Sequence, residues 1–282
     1  MHPAVQLIRL GNVLVSFAGT LVGGAVALRL SPLPSGTAFA LVLLAALSTA
    51  LVTAGGNVLN DLLDRESDRV NHPDRPLVTG RVSVRTARAS AAGALVASAV
   101  AMIPVAWFEP LVGAIYAIAV GVLLAYEFRG KASGLTGNLF VAFLTGAVFL
   151  YGGAAGGNAP ALAVFALMAF GATLSREVIK DMEDATGDVG RRTLPRTRGM
   201  GPAAWAARVS VLGAIALSGV PFLLFLPFAS VAGIMYLVFV LAADALFVVS
   251  VVHLPERLHW EQTVSKLAMT VALVAFIAAA FR

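Results

Sequence analysis

Cysteine is absent from the chain, so disulfide scaffolds, thiolate metal sites and thiol nucleophiles drop out together. Charge is scarce as well: Asp, Glu, Lys and Arg make up 12% of the 282 residues, against roughly 25% in a soluble globular domain. With 59% hydrophobic residues and a mean hydropathy of +0.88, the chain has too little polar surface for a water-exposed domain and reads as a polytopic membrane protein. Histidine is rare, and His2, His72, His253 and His259 form no obvious ligand set, although the last two lie close together near an expected helix end. The N-terminus has neither a lysine-rich start nor a small-residue cleavage signal before the first apolar run, so the first helix is expected to be retained.

What is present is apolar sequence interrupted by charge. The apolar runs predict an all-α fold of nine transmembrane helices around a central cavity, in one membrane domain covering 1–282. The expected spans are about 9–29, 37–59, 86–106, 110–128, 135–154, 159–180, 202–222, 228–252 and 264–281. Alternate connections then differ sharply. One side receives 18 of the 20 Lys and Arg residues, including Arg9, the run from Arg65 to Arg88, Lys131, and the segment from Arg176 to Arg208. By the positive-inside rule that side is the cytoplasm, which puts the N-terminus inside and the C-terminus outside the cell membrane. The net charge of +5 therefore reports topology, and no nucleic-acid partner is expected.

The acidic residues are concentrated too. Ten of the fifteen lie in two stretches, Asn60 to Asp74 and Arg176 to Asp188, and both stretches carry the spacing D-x-x-D-x-x-x-D. On a helix, positions i, i+3 and i+7 share a face, so Asp61, Asp64 and Asp68 are expected to converge, as are Asp181, Asp184 and Asp188. Carboxylates gathered at a membrane boundary are costly unless paired, hydrated or bound to a cation. Each stretch follows an apolar span and runs into a basic, proline-containing loop, a module used twice, 120 residues apart.

Mg²⁺ is the cation that fits, because it takes hard oxygen ligands and is held by one or two carboxylates while phosphate oxygens complete its shell. Arg65, Arg69, Arg75, Lys131, Arg176, Lys180, Arg191 and Arg192 lie nearby to neutralise phosphate. A diphosphate head on a tail that belongs in a bilayer is an isoprenyl diphosphate. Asn57, one turn before Asp61, reads equally as a donor behind the cluster or as polar glue between helices. Lys131 reads as a phosphate ligand or as an anchor at the cytoplasmic boundary. Arg9 is expected to snorkel, and Tyr126 and Tyr151 to sit in an interfacial belt.

On these residues the chain resembles the UbiA superfamily of intramembrane prenyltransferases, over nearly its whole length. Asn60-Asp61-x-x-Asp64-x-x-x-Asp68, followed by Asn71-x-Pro73-Asp74-Arg75-Pro76 and Gly80-Arg81, is similar to that family's first aspartate-rich motif. Arg176-Glu177-Val178-Ile179-Lys180-Asp181-x-Glu183-Asp184-x-x-Gly187-Asp188 is most similar to the branch of archaeal digeranylgeranylglyceryl phosphate synthases. The resemblance implies two Mg²⁺ ions, one on Asn60, Asp64 and Asp68 and one on Asp181, Asp184 and Asp188, and the shared spacing makes Asp61 an expected metal ligand of the first cluster as well. It also implies that Lys131 and Asn138 hold diphosphate.

The implied reaction moves geranylgeranyl from its diphosphate to geranylgeranylglyceryl phosphate. The alternative within the family is an aromatic, 4-hydroxybenzoate-type transferase of quinone biosynthesis. Outside it, a CDP-alcohol phosphotransferase lacks its Asp-Gly-x-x-Ala-Arg signature here. A divalent-cation transporter would need ionisable groups through the membrane depth, where only Asp244 looks deeply placed.

Overall fold

The computed structural model describes residues 2–30, 36–130, 134–186 and 192–281. Regular structure among them is entirely helical. A short surface helix α1 (Pro3–Ile8) leads into α2 (Leu10–Leu30), followed by α3 (Gly36–Leu63), α4 (Arg65–Asn71), α5 (Val84–Phe108), α6 (Pro110–Ala125) and α7 (Leu135–Ala155). Then come α8 (Ala163–Glu183), α9 (Leu194–Arg198), α10 (Met200–Ala216), α11 (Val220–Leu224), α12 (Val231–Val252) and α13 (Leu258–Ala280). Nine of the described stretches are long and apolar enough to cross a bilayer, and they coincide with the nine expected spans.

The helix ends follow ordinary capping chemistry. Ser83 and Ser230 precede α5 and α12 and accept from the backbone amides of Thr86 and Gly233, each at 3.0 Å. Pro110 takes the first position of α6, where its missing N–H costs nothing. The largest boundary difference is α13, which begins at Leu258 and not near 264. Glu261, Gln262 and Lys266 make that stretch look like a loop, yet Glu261 is fully buried against its neighbours.

The spans close into a ring. Sequential helices pack on one another, α7 and α8 also pack against α2 and α13, and α13 returns to α2, where Arg29 donates to the Ala279 carbonyl at 2.7 Å. The α7 and α8 spans are 56% buried and the α6 span only 11%, so the former build the interior and the latter faces lipid. Small residues permit the tightest crossing: a Cβ on Gly152 of α7 would lie 2.0 Å from the Thr20 carbonyl oxygen of α2. Phe165 stacks on Phe276 with centroids 4.2 Å apart, filling the interior between α8 and α13.

Tyr151 departs from its expected interfacial position. It is 5% exposed, and its hydroxyl donates to Ser48 Oγ at 3.2 Å, which in turn donates to the Ser98 carbonyl at 2.9 Å. A hydroxyl inside an apolar bundle needs such partners, and serines on α3 and α5 supply them.

Candidate active site at one end of the bundle

Because successive spans alternate in direction, the C-terminal ends of α3, α6, α8 and α12 and the N-terminal ends of α5, α7, α10 and α13 share one end of the bundle. Both acidic motifs are there. The first does not lie on one straight helix: α3 stops at Leu63, Asp64 forms a bend, and α4 resumes at Arg65. Backbone hydrogen bonds from the Asp64 amide to the Asn60 carbonyl (2.9 Å) and from the Asp68 amide to the Asp64 carbonyl (2.8 Å) carry the helical pattern across the bend. The second motif likewise leaves α8 at Glu183 for a 3₁₀ turn, Asp184–Thr186. Asp188, Lys131 and Arg191 lie outside the described residues.

The first motif is laced with guanidinium groups. Asp61 is 3% exposed, and its Oδ1 accepts from Arg9 Nη2 at 2.6 Å and from Arg75 Nη1 at 3.0 Å. Arg75 Nη1 also donates to Asp68 Oδ2 at 2.5 Å, and Arg9 Nη2 to Asn60 Oδ1 at 2.9 Å. Arg9 therefore does not snorkel. It sits between α1 and α2 with φ of 53°, in the left-handed region that costs an arginine about 1 kcal/mol or more. Asn57 turns to this junction, its Nδ2 donating to the Ile8 carbonyl at 2.7 Å. Burial pushes the Asp68 carboxyl above the usual carboxylate range; Arg75 opposes that, and the charges of Asp61 and Asp64 add to it.

The second motif is braced from two sides. Asn138, near the start of α7, donates Nδ2 to Asp181 Oδ2 at 2.8 Å. Glu183 accepts from Gln262 Nε2 at 2.9 Å and pairs with His259 Nδ1 at 2.8 Å, both on α13. Arg176 pairs with its neighbour Glu177, and Lys180 is exposed. In the first motif Arg65 is half-buried and Arg69 is exposed, pairing with Glu66 at 2.8 Å.

The two halves are joined through the stretch between α6 and α7. Asn60 Nδ2 donates to Glu127 Oε1 at 3.2 Å, and Glu127 belongs to the π-turn Tyr126–Gly130 that ends α6. Gly130 packs against Phe140 of α7, two residues beyond Asn138. Gly134, with φ of 55°, comes so close to the Arg192 carbonyl that a Cβ there would lie 2.0 Å away.

The sequence pattern missed Arg9, Glu127 and the α13 contacts of Glu183. Glu127 carried a signal, as a single acid at the end of an apolar span. His259 carried none, because its partner is 76 positions away.

Among the described residues no group of three or more acidic or histidine side chains is gathered closely enough to hold a metal ion by itself. The donors present are carboxylate and amide oxygens flanked by arginines. That set fits Mg²⁺, which keeps waters and shares its shell with substrate phosphates, better than an ion that needs a complete protein cage.

Residues 16–280 match the UbiA prenyltransferase family. The chain belongs to that family. It is 40% identical over 242 residues to the digeranylgeranylglyceryl phosphate synthase of Methanopyrus kandleri, covering 83% of this chain and 86% of that protein. To the enzyme of the same name from Methanococcus aeolicus it is 33% identical over 283 aligned positions, covering 97% and 95%.

Among solved structures, one of a digeranylgeranylglyceryl phosphate synthase in membranes superposes with a TM-score of 0.78 at 28% identity, covering 99% of this chain and 97% of that one. A UbiA homologue from Archaeoglobus fulgidus bound to GPP and Mg²⁺ shares the fold, with a TM-score of 0.68 at 20% identity, covering 97% and 99%. This UbiA-family chain is therefore a multi-pass membrane protein whose two aspartate-rich motifs lie at the same end of a helical ring.

Proposed function

We propose that this chain is a Mg²⁺-dependent prenyltransferase that moves a geranylgeranyl group from its diphosphate to the free hydroxyl of geranylgeranylglyceryl phosphate, a step in archaeal ether-lipid synthesis. One observation carries the reading. Two acidic motifs, bonded through Asn60–Glu127 and Asn138–Asp181 to the same α6–α7 junction, stand among arginines at the end of a lipid-embedded bundle. The names of the archaeal relatives favour the lipid-phosphate acceptor over an aromatic one. Residues 1–282 act as one domain in the cell membrane, with this end in the cytoplasm, the N-terminus inside and the C-terminus outside.

Asn60, Asp64 and Asp68 would hold one ion, and Asp181, Asp184 and Asp188 a second. Held by these residues, Mg²⁺ would supply Lewis-acid stabilisation of the leaving diphosphate as the allylic C–O bond breaks. Arg65, Arg69, Lys131, Arg176 and Lys180 neutralise phosphate oxygens, arginine with a two-pronged donor set. Asn138 holds Asp181 in place through its Nδ2 and would contribute to diphosphate binding through that carboxylate. The tail lies among the apolar helices, which keep water from the reacting carbon. The acceptor hydroxyl loses its proton as it attacks, to a motif carboxylate or to the departing diphosphate.

The test is product formation from labelled geranylgeranyl diphosphate and Mg²⁺ with purified protein, offered geranylgeranylglyceryl phosphate and 4-hydroxybenzoate in parallel. Lipid product alone is expected. Aromatic product alone would move the enzyme to the quinone branch, and no metal-dependent product with either acceptor would end the transferase reading. Asn138→Ala is expected to weaken Mg²⁺-dependent diphosphate binding about 10- to 100-fold, the usual effect of losing a residue that orients a metal ligand. Titration of binding against Mg²⁺ checks this, and an unchanged titration would remove Asn138 from the site.

A further inference from the structure

We propose that Asp61, although it opens the D-x-x-D-x-x-x-D pattern, holds no metal: it is a positioning residue that fixes Arg9 and Arg75, and through them Asn60 and Asp68. The inference rests on the diphosphate reading of this site and goes beyond it by dividing the motif into ligands and frame.

The argument begins with one oxygen. Asp61 Oδ1 accepts from Arg9 Nη2 at 2.6 Å and from Arg75 Nη1 at 3.0 Å. Each of those nitrogens reaches a second acceptor in the same motif, Asn60 Oδ1 at 2.9 Å and Asp68 Oδ2 at 2.5 Å. The order in space is thus Asn60, Arg9, Asp61, Arg75, Asp68, with Asp61 at the centre. Its single negative charge already faces two positive charges at hydrogen-bond distance. A divalent ion brought to the same carboxylate would meet strong repulsion.

The same carboxylate ties three segments together. Arg9 joins α1 to α2, and Arg75 lies in the loop after α4. Leu7 of α1 and Leu77 of that loop are buried with Val58 of α3 and with Ala87 and Ala91 of α5. Arg81 in the loop donates to Gln6 Oε1 at 3.2 Å, a direct bond between loop and α1. The left-handed backbone at Arg9 is what aims its guanidinium back at α3. A buried acid that accepts from both segments sets their distance from the motif, and with it where Asn60 and Asp68 point.

The absence of cysteine gives a clean spectroscopic test. Asp61→Cys and Asp64→Cys are prepared separately and titrated with Cd²⁺, a soft ion that thiolates favour, following the ultraviolet thiolate-to-cadmium charge-transfer band. The band is expected in D64C and not in D61C. Its appearance in D61C at the same Cd²⁺ concentration overturns the proposal.

A second measurement is Mg²⁺-dependent binding of geranylgeranyl diphosphate to the native protein, D61N, R75Q and the double variant. Each single change is expected to weaken binding about tenfold, and the double change no more than either, because both break one unit. Losses that multiply to about 100-fold, or an unaltered D61N, overturn it. Should D61N fail to fold, R9Q and R75Q supply the same cycle across Asp61, with the same expected non-additivity. A native protein that binds no geranylgeranyl diphosphate, together with a D64C that gives no band, would instead remove the diphosphate reading itself.

Discussion

Asp64→Ala is expected to lower turnover on the order of 10³-fold or more while the variant folds and inserts normally. Asp64 stands at the bend between α3 and α4 and takes no part in the bonds that join Arg9 and Arg75 to Asp61. Its removal leaves those ion pairs intact. What it removes is a hard oxygen donor toward the leaving diphosphate, a stabilisation felt most as charge develops there. Losing one preorganised group of that kind costs about 10² to 10³ in rate, and a metal that is lost with it costs more.

Two readouts separate this from a folding defect. Thermal unfolding in detergent should move little, because Asp64 is only half-buried, and the Mg²⁺ concentration for half-maximal activity should rise. Asp64→Glu should recover part of the activity by retaining a carboxylate. Full activity in the alanine variant would remove Asp64 from the site, and a large loss of thermal stability would make it a structural residue.

The architecture was legible because each membrane span carries its own signal. Twenty or so apolar residues bounded by charge need no distant partner to be recognised, so all nine spans could be placed from composition and length. The two motifs were legible for the same local reason, since their spacing is written in consecutive residues. What escaped were contacts between residues far apart in the chain. Arg9 meets Asp61 across 52 positions and Asn138 meets Asp181 across 43, and nothing local to either partner announces the other.

Arg9 looked like an arginine at the end of a span, for which the headgroup region is the ordinary place. The break at Asp64 was equally hidden, because no proline or glycine marks it. Tyr151 was misplaced because an aromatic near a span end resembles an interfacial anchor, and only the serines at 48 and 98 make its buried hydroxyl affordable.

The crossing of α2 and α7 leads to the largest expected effect on stability. Gly152→Leu should lower the unfolding temperature in detergent by about 10 °C or prevent folding. A Cβ at position 152 would stand 2.0 Å from the Thr20 carbonyl oxygen and 2.9 Å from the Gly24 amide nitrogen. Both are backbone atoms, which cannot rotate out of the way. The two helices must therefore separate, and that loss spreads along their contact, because Gly23 meets the Phe149 carbonyl with a Cβ distance of only 2.5 Å.

In lipid there is little hydrophobic drive to restore the contact, so close packing itself is the stabilising term. Overpacking of this kind costs at least about 3 kcal/mol, which corresponds to roughly 10 °C for a chain of this size. Gly93→Leu is the matched comparison: it lies on the exposed face of α5, where a Cβ meets nothing within 4 Å, and should leave the unfolding temperature nearly unchanged. Because α7 also carries Asn138, a separated α2–α7 pair should weaken diphosphate binding in any Gly152→Leu protein that does fold. Equal unfolding temperatures for the two variants would mean that the α2–α7 contact does not hold the bundle together.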